Sequence, residues 1–430
     1  MTDSDITFGK KIPILIKNVR VQNNPIEIYL DGTGYIGDIS EQIRDHDAEL
    51  VIDGHGATVL PGMINMHTHS PMTLLRGYSD DLPLMDWLSK IWLIESKFNE
   101  SAIYWGAKLA CLEMIRTGTT TFNDMYFMIS KIADAVDESG IRACLSYCMI
   151  DNGDHNKFES ECSIMEQTVH SIKKRNNPRI MPGVSPHAIY TVSEEGLQWC
   201  AEYSKMENIP LHIHVDETDE DTKCIQNHGM RVVPWLEHCG VLSPHCIAAH
   251  CCWVNNSDIE LLSKHHVTVV HNPISNMKLA VGNVLPYPKL KKAGVNVTLG
   301  TDGAASNNNL DMFGTMKTAA LLQKFHWNDS TIMPAQEVLD IASKNGAKAL
   351  NIKSGVLAPG YLADIILINK NPTNTPIFNT PSSMVYSTCG LAVNTTICDG
   401  AILMHNGYIP NSNEILTNAE KIAYDLTNYS

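Results

Sequence analysis

No two of the 12 cysteines stand in a CxxC pair. The nearest groupings are Cys144 with Cys148 and the vicinal Cys251-Cys252. That spacing excludes a disulfide framework and points to buried free thiols in a reducing compartment. Long apolar runs are also missing. No stretch of 18 apolar residues occurs, so no transmembrane helix is expected. The opening MTDSDITFGKK lacks an apolar core segment, so no signal peptide is expected, and the cytoplasm is the expected location. Positive charge is scarce. There are 32 Lys+Arg against 47 Asp+Glu, a formal net charge of −15. Such a chain repels phosphate backbones and anionic lipid, which argues against nucleic acid polymers and membrane surfaces as partners. Internal repeats and low-complexity tracts are absent. What is present is an ordinary globular composition of 430 residues, 44% hydrophobic and 18% charged, ample for a large core.

The two ends share one texture and the middle another. IPILIKNV, IEIYLDGTGYIGDI and ATVLPG near the start alternate apolar residues with turn formers, as do ADIILIN, MVYSTCG and TTICDGAILMHNG near the end, before a final helical stretch. This predicts antiparallel strands at both ends. Residues 1–60 and 359–430 are expected to pair into one small discontinuous β-sandwich domain. The middle, 61–358, alternates short apolar runs with helical segments such as 103–116 and 129–139. That is the pattern of parallel βα units, and its length suits an α/β fold of the (β/α)8 TIM-barrel type.

Eight apolar runs can be laid out in order: 63–69, 119–124, 142–151, 180–187, 210–217, 246–251, 267–273 and 296–303. Polar residues gather at their C-terminal ends, and histidines recur there: His67, His69, His187, His214, His250 and His271. Barrel enzymes build their sites at that face, where strand ends and βα loops converge. Loops alone account for Asn and Asp at strand ends but not for this repetition of His.

His67 and His69 stand two apart on the first run, so both rings can face one point. Neutral imidazole suits zinc or iron. His212 and His214 repeat the spacing on the fifth run. His214 is nearer the catalytic end and is taken as the ligand, with His212 a hydrogen-bonded interior residue. Glu217 follows, placed to take and pass a proton, though spacing alone does not separate it from Asp216. Asp302 ends the eighth run, which in a closed barrel adjoins the first. Three His and one Asp leave an open position, as a catalytic metal requires. His250 ends run six beside His214, where it could orient or deprotonate a water. No bridging anionic ligand is evident, so one divalent metal ion is expected. The H-x-E with P-C-x-x-C signature of one class of zinc deaminases is absent.

At these residues the chain resembles the amidohydrolase superfamily, in the branch of 5-methylthioadenosine/S-adenosylhomocysteine deaminases and triazine chlorohydrolases. The pieces that carry the resemblance are LPGMINMHTHSPMTLLRGYSDDLPLMDWL, SPHAIY, HIHVDET, IAAHC, HNPISNMKL, TLGTDGAASNN and SGVLAPGYLADIILIN, in order along nearly the whole chain. The resemblance implies that His67, His69, His214 and Asp302 bind one metal ion, Zn2+ or alternatively Fe2+. It implies that Glu217 protonates a ring nitrogen of the substrate and that Asp302 or His250 takes the remaining proton of the attacking water. It further implies that Trp87, Glu95 and His187 contact a nucleoside, Glu95 by accepting both ribose hydroxyl protons. The implied reaction is hydrolytic deamination of an adenine nucleoside to the inosine analogue and ammonia, by a homo-oligomer.

The chain departs from the family pattern after the third run. Some members hold an anionic tail there with arginines, whereas YCMIDNGDHNKF (147–158) has only Lys157. A neutral 5′ group, as in methylthioadenosine, adenosine or 5′-deoxyadenosine, fits this stretch better than the homocysteine of S-adenosylhomocysteine. Two rival readings share the scaffold: another heterocycle hydrolase (guanine or cytosine deaminase, triazine chlorohydrolase), or a catalytically silent barrel.

Overall fold

The computed structural model describes residues 6–44, 46–82 and 84–427. At the N-terminal end come β1 (Pro13–Val21), β2 (Asn24–Asp31), β3 (Ile36–Ser40) and β4 (Leu50–Pro61). Eight barrel strands follow: β5 (Met63–Thr68), β6 (Thr119–Tyr126), β7 (Arg142–Met149), β8 (Ile180–Pro186), β9 (Leu211–Val215), β10 (Cys246–His250), β11 (Thr268–His271) and β12 (Asn296–Leu299). The tail adds β13 (Ile365–Ile368), β14 (Val393–Cys398) and β15 (Ala401–Met404).

The barrel strands lie in chain order from β5 to β12, with parallel pairing between every hydrogen-bonded neighbour. All eight sequence runs coincide with these strands. The seam between β12 and β5 closes just past the strand ends: Asp302 N–H donates to His67 O at 2.9 Å and Thr301 N–H to Asn65 Oδ1 at 3.0 Å. Strands β6, β7, β9, β10 and β11 are buried along their whole length, as expected where helices cover a parallel sheet. The covering helices are punctuated by caps. Asn99 accepts from Ala102 N–H to start Glu100–Arg116, Asp154 starts His155–Lys174, and Asn255 with Asp258 forms a capping box at Asn256–Lys264.

The two chain ends meet in one seven-stranded sheet of order β15-β14-β13-β4-β1-β2-β3. Its apolar side chains, including Ile14, Ile28, Ile52, Ile365 and Ile397, form a core separate from that of the barrel. Two details differ from expectation. The β1–β4 pair is parallel, not antiparallel, because β3 and a long connection lie between β2 and β4. MVYSTCG is not a strand: residues Thr380–Tyr386 form a helix started by Asn379, which accepts from Ser382 N–H at 2.9 Å, with a proline in its first turn. That cap overrides the β-branched and aromatic residues that suggested a strand.

The sheet is pinned to the floor of the barrel by buried charge. Arg142, at the start of β7, reaches Asp364 at 3.4 Å and Asp399 at 3.7 Å, two residues of the C-terminal segment. Asp399 also meets Lys11 at 2.5 Å, and Ser354 donates to Asp364 at 2.8 Å.

Candidate active site

The catalytic end of the barrel converges on one point. His67 lies near the end of β5 and is wholly buried, and His69 is just beyond it. Their Nε2 atoms both stand 3.3 Å from Asp302 Oδ1. His214, on β9, brings its Nε2 to 3.4 Å from that of His69.

The opposite ring nitrogens are all committed. His69 Nδ1–H donates to Met125 O at 2.8 Å and His214 Nδ1–H to His187 O at 2.9 Å. His67 Nδ1 pairs with His212 Nε2 at 2.9 Å, so His212 is the interior hydrogen-bonding partner one layer below. These second bonds leave the Nε2 lone pairs of the neutral rings aimed inward.

That arrangement fits a bound cation. Two imidazole lone pairs facing each other at 3.4 Å repel unless something positive lies between them. His67 Nε2 is buried without a hydrogen-bond partner. Burial would raise the Asp302 pKa, but the adjoining His67 and His69 rings hold it well below the carboxylate range. Burial pulls His67 down to about 4, while at His69 the pull of Asp302 outweighs burial and raises the ring to about 9. Asp302 is the fixed negative charge of the cluster, and its field draws one positive charge to this point: a proton on His69 when nothing else is there, or a cation held by the neutral rings. Three nitrogens and one carboxylate oxygen match the donor set of zinc or ferrous iron with a position left open.

Asp302 is itself held. Its Oδ2 accepts from Ser275 Oγ at 2.6 Å and its Oδ1 from Gly303 N–H at 2.7 Å. Several residues just past the strands have left-handed backbone: Asp216 (φ 46°), Cys251 (φ 50°) and Asp302 (φ 64°), together with His250 (φ 75°) at the end of β10. Such conformations cost about 1–2 kcal/mol per non-glycine residue and persist only where surroundings hold them. Here Cys251 N–H bonds Val215 O at 2.8 Å and Cys252 N–H bonds Asp216 O at 2.9 Å, which locks β9 to β10.

His250 and Glu217 complete the centre. His250 Nδ1–H donates to Asn276 Oδ1 at 2.8 Å, and its Nε2 has no partner. Glu217 Oε1 stands 3.9 Å from His250 Nδ1. Burial raises the Glu217 pKa, with His250 lowering it and Asp302 raising it further. Glu217, His250 and Asp302 can share one small space, as can His67, His214 and His250. Glu217 lines the cavity, whereas the buried Asp216 lies outside it, its carboxylate close to Asp221, Glu220 and Asp258.

A cavity of about 950 Å³ opens from this centre. Trp87, Glu95, His187, His214, Glu217 and His250 all line it. Trp87 Nε1 is buried and unpartnered. His187 Nδ1 is tied to Thr191 Oγ1 at 2.8 Å, and burial, reinforced by His69 and His67, lowers its pKa to about 3, so the ring is neutral. Glu95 ends the helix Leu84–Glu95, an excursion between β5 and β6, and accepts from Tyr126 Oη. Much of the remaining wall is apolar, with Leu88, Ile91, Phe127, Met128 and Ile150. Among the described residues, Lys223 is the one Lys or Arg in the lining, and it neighbours Asp219 and Glu220 there; Lys157 does not reach the cavity.

Sequence reasoning gave no role at the site to Ser275, Asn276, Met125 or Tyr126. Met125 acts through its carbonyl, which no residue type signals. Ser275 and Asn276 do fall in the quoted stretch HNPISNMKL, between two strands already assigned to the catalytic face. That placement was the available signal.

The comparisons with known proteins agree with this geometry. A family model described as the amidohydrolase family matches residues 58–403. A 5′-deoxyadenosine deaminase from Methanoregula boonei is 51% identical over 418 residues, 96% of this chain and 95% of that protein. A 5-methylthioadenosine/S-adenosylhomocysteine deaminase from Archaeoglobus fulgidus is 43% identical over 386 residues, 88% of this chain and 91% of that one. Among solved structures, an adenosine deaminase from Xanthomonas campestris with bound zinc superposes with a TM-score of 0.90 at 28% identity, covering 97% of this chain and 99% of that chain.

Proposed function

The chain belongs to the amidohydrolase family, and on that premise we propose that it is a metal-dependent deaminase of 5′-deoxyadenosine and related adenine nucleosides with a neutral 5′ group. The observation that carries this reading is the convergence of three imidazole nitrogens and one carboxylate on a single point at the floor of a nucleoside-sized cavity. Relatives named 5′-deoxyadenosine deaminase, 51% and 48% identical, support the substrate class.

His67, His69, His214 and Asp302 would hold the ion, Zn2+ by preference and Fe2+ as the alternative. An ion bound there acts as a Lewis acid and brings the pKa of water from about 15.7 toward about 7. The remaining work falls to the side chains. Glu217, its pKa raised by burial, delivers a proton to N1 of the adenine ring, which makes C6 electrophilic. His250 has its Nδ1–H fixed by Asn276 and its Nε2 free, so it or Asp302 takes the proton of the water that adds at C6. That proton passes on to the amino group, Glu217 takes back the proton of the added hydroxyl as the C6=O bond forms, the C6–N bond breaks, ammonia leaves and the inosine analogue remains. His187 presents its Nε2 side, and Trp87 its N–H, to the base and sugar. Glu95 receives the ribose diol, since one carboxylate can accept both hydroxyl protons.

The wall beyond the ribose disfavours a zwitterionic tail. With Lys223 beside Asp219 and Glu220, no strong anion site faces the cavity among the described residues, whereas Phe127, Met128 and Ile150 offer apolar surface to a methyl or methylthio group. We take the working protein to be a cytoplasmic homo-oligomer, as the family resemblance implies. The decisive experiment is ammonia release from 5′-deoxyadenosine, methylthioadenosine, adenosine, S-adenosylhomocysteine, guanine and cytosine, side by side. The expected order places the first two ahead. Turnover of free bases alone would replace this reading with the rival heterocycle hydrolase.

A further inference from the structure

We propose that Tyr126 is a positioning residue for sugar recognition: its hydroxyl holds the Glu95 carboxylate in the orientation that receives the ribose diol. The inference rests on the nucleoside reading above and names a residue that need not touch the substrate.

Tyr126 is the last residue of β6 and is 2% exposed. Its Oη donates to Glu95 Oε1, and both residues line the cavity. Glu95 belongs to a different element, the helix Leu84–Glu95, which leaves the barrel after β5. The bond therefore ties an excursion to a rigid strand end. The preceding residue of the same strand, Met125, accepts from His69 Nδ1–H at 2.8 Å. Two consecutive residues of β6 thus address both ends of the substrate, the reacting base through His69 and the sugar through Glu95. A strand holds that separation better than a loop does.

The chemistry favours the same conclusion. Glu95 must be ionised to accept two hydroxyl protons, and burial raises its pKa. The Tyr126 hydroxyl lowers it again. Occupying Oε1 with one donor leaves Oε2 and the remaining lone pairs for the diol. Without that donor the carboxyl shifts toward its neutral form, which offers one fewer acceptor, and the helix end loses its tie.

The test compares kcat and KM for 5′-deoxyadenosine and 2′,5′-dideoxyadenosine, which lacks one sugar hydroxyl. Wild type, Tyr126→Phe, Glu95→Gln and the double variant are measured, with Tyr126→Leu as a second variant without the hydroxyl should the first fail to fold. Tyr126→Phe is expected to raise KM for 5′-deoxyadenosine about 10-fold, the loss of one hydrogen bond to a charged group. It should lower kcat less than about 3-fold and shrink the preference for the ribonucleoside. In the Glu95→Gln background the same change should have no further effect. An unchanged sugar preference in both Tyr126 variants, or effects of Tyr126→Phe and Glu95→Gln that multiply independently, overturns the inference alone. No ammonia from any nucleoside with wild type overturns the underlying activity, and the inference with it.

Discussion

Replacing Glu217 with Gln isolates the proton shuttle from everything else in the site. The swap keeps shape and volume. It breaks no hydrogen bond among the described residues, since the nearest partner, His250 Nδ1, is 3.9 Å away. The four groups taken to bind metal do not depend on Glu217, because each is held by its own second contact: His69 by Met125, His214 by His187, His67 by His212 and Asp302 by Ser275. Folding and metal content should therefore match wild type. What disappears is a carboxyl whose pKa burial raises, the direction that favours giving as well as taking a proton. A positioned general acid–base is worth roughly 10²–10⁴-fold, which at about 1.4 kcal/mol per decade is about 3–5 kcal/mol of barrier. The assay is ammonia release from 5′-deoxyadenosine, paired with metal analysis of the same preparation. The expected result is a fall in kcat of that size with about one metal per chain retained. Activity within a few-fold of wild type would refute the assignment of Glu217. Loss of metal along with activity would show instead that Glu217 supports the ion, and the division of labour argued here would fail.

Three further substitutions probe separate parts of the structure. Ser275→Ala removes the 2.6 Å hydrogen bond to Asp302 Oδ2 and should weaken metal retention about 10–100-fold, read as faster loss of metal to a chelator, with equal retention counting against the role of Ser275. Glu220→Gln addresses a buried acid whose pKa is raised to about 8 by burial first and the nearby Glu217 second. The unfolded chain ionises Glu220 near pH 4.5, so wild type loses stability as pH rises from there to about 8, and the gain in Tm of Glu220→Gln over wild type should be larger at pH 8 than at pH 5. An equal gain at both values would mean that Glu220 titrates normally. Arg142→Ala leaves Asp364 and Asp399 buried with a charge missing, at a cost of about 3 kcal/mol in denaturant unfolding, discounted because Lys11 still serves Asp399; a cost below about 1 kcal/mol would show the ion pairs to be dispensable.

Much of this architecture is written locally. A barrel strand such as Ala-Ala-His250 or Val-Val-His271 announces itself twice, by an apolar run that must be covered on both faces and by a polar terminus that must go where strands end together. The two HxH pairs and Asp302 were legible for that reason: their partnership follows from barrel closure, which makes the last strand adjoin the first, and the Asp302 N–H to His67 O bond is that closure. The resemblance to the amidohydrolases supplied what spacing could not, the choice of Glu217 over Asp216. The misses have a common cause too. The helix Thr380–Tyr386 hid behind strand-forming residues because its cap, Asn379, lies outside the apolar pattern. The parallel β1–β4 pair follows from which strands become neighbours, which alternation does not encode. The roles of Met125 and Tyr126 depend on contacts from segments 31 to 56 residues away in the chain.

These contacts bear on how one scaffold changes substrate without changing chemistry. The groups that hold and orient the reacting centre come from strand interiors and from the residues immediately after them, His67, His69, His214, His250 and Asp302, each fixed by a second bond to the barrel itself. Much of the remaining cavity wall comes from excursions: Trp87 and Glu95 from the helix after β5, Met128, Ile150 and Asn152 from the segments after β6 and β7, Lys223 from the helix after β9. A substitution in the second set can exchange an apolar wall for a charged one while leaving the His–Asp cluster intact, because among the described residues no hydrogen bond is seen from those excursion residues to the inward-facing atoms of His67, His69, His214 and Asp302. Tyr126 is the exception that joins the sets, a strand residue reaching an excursion residue. Variation among related deaminases should on this argument fall freely on positions such as 128, 150 and 152, whereas a change at 126 must be matched by one at 95.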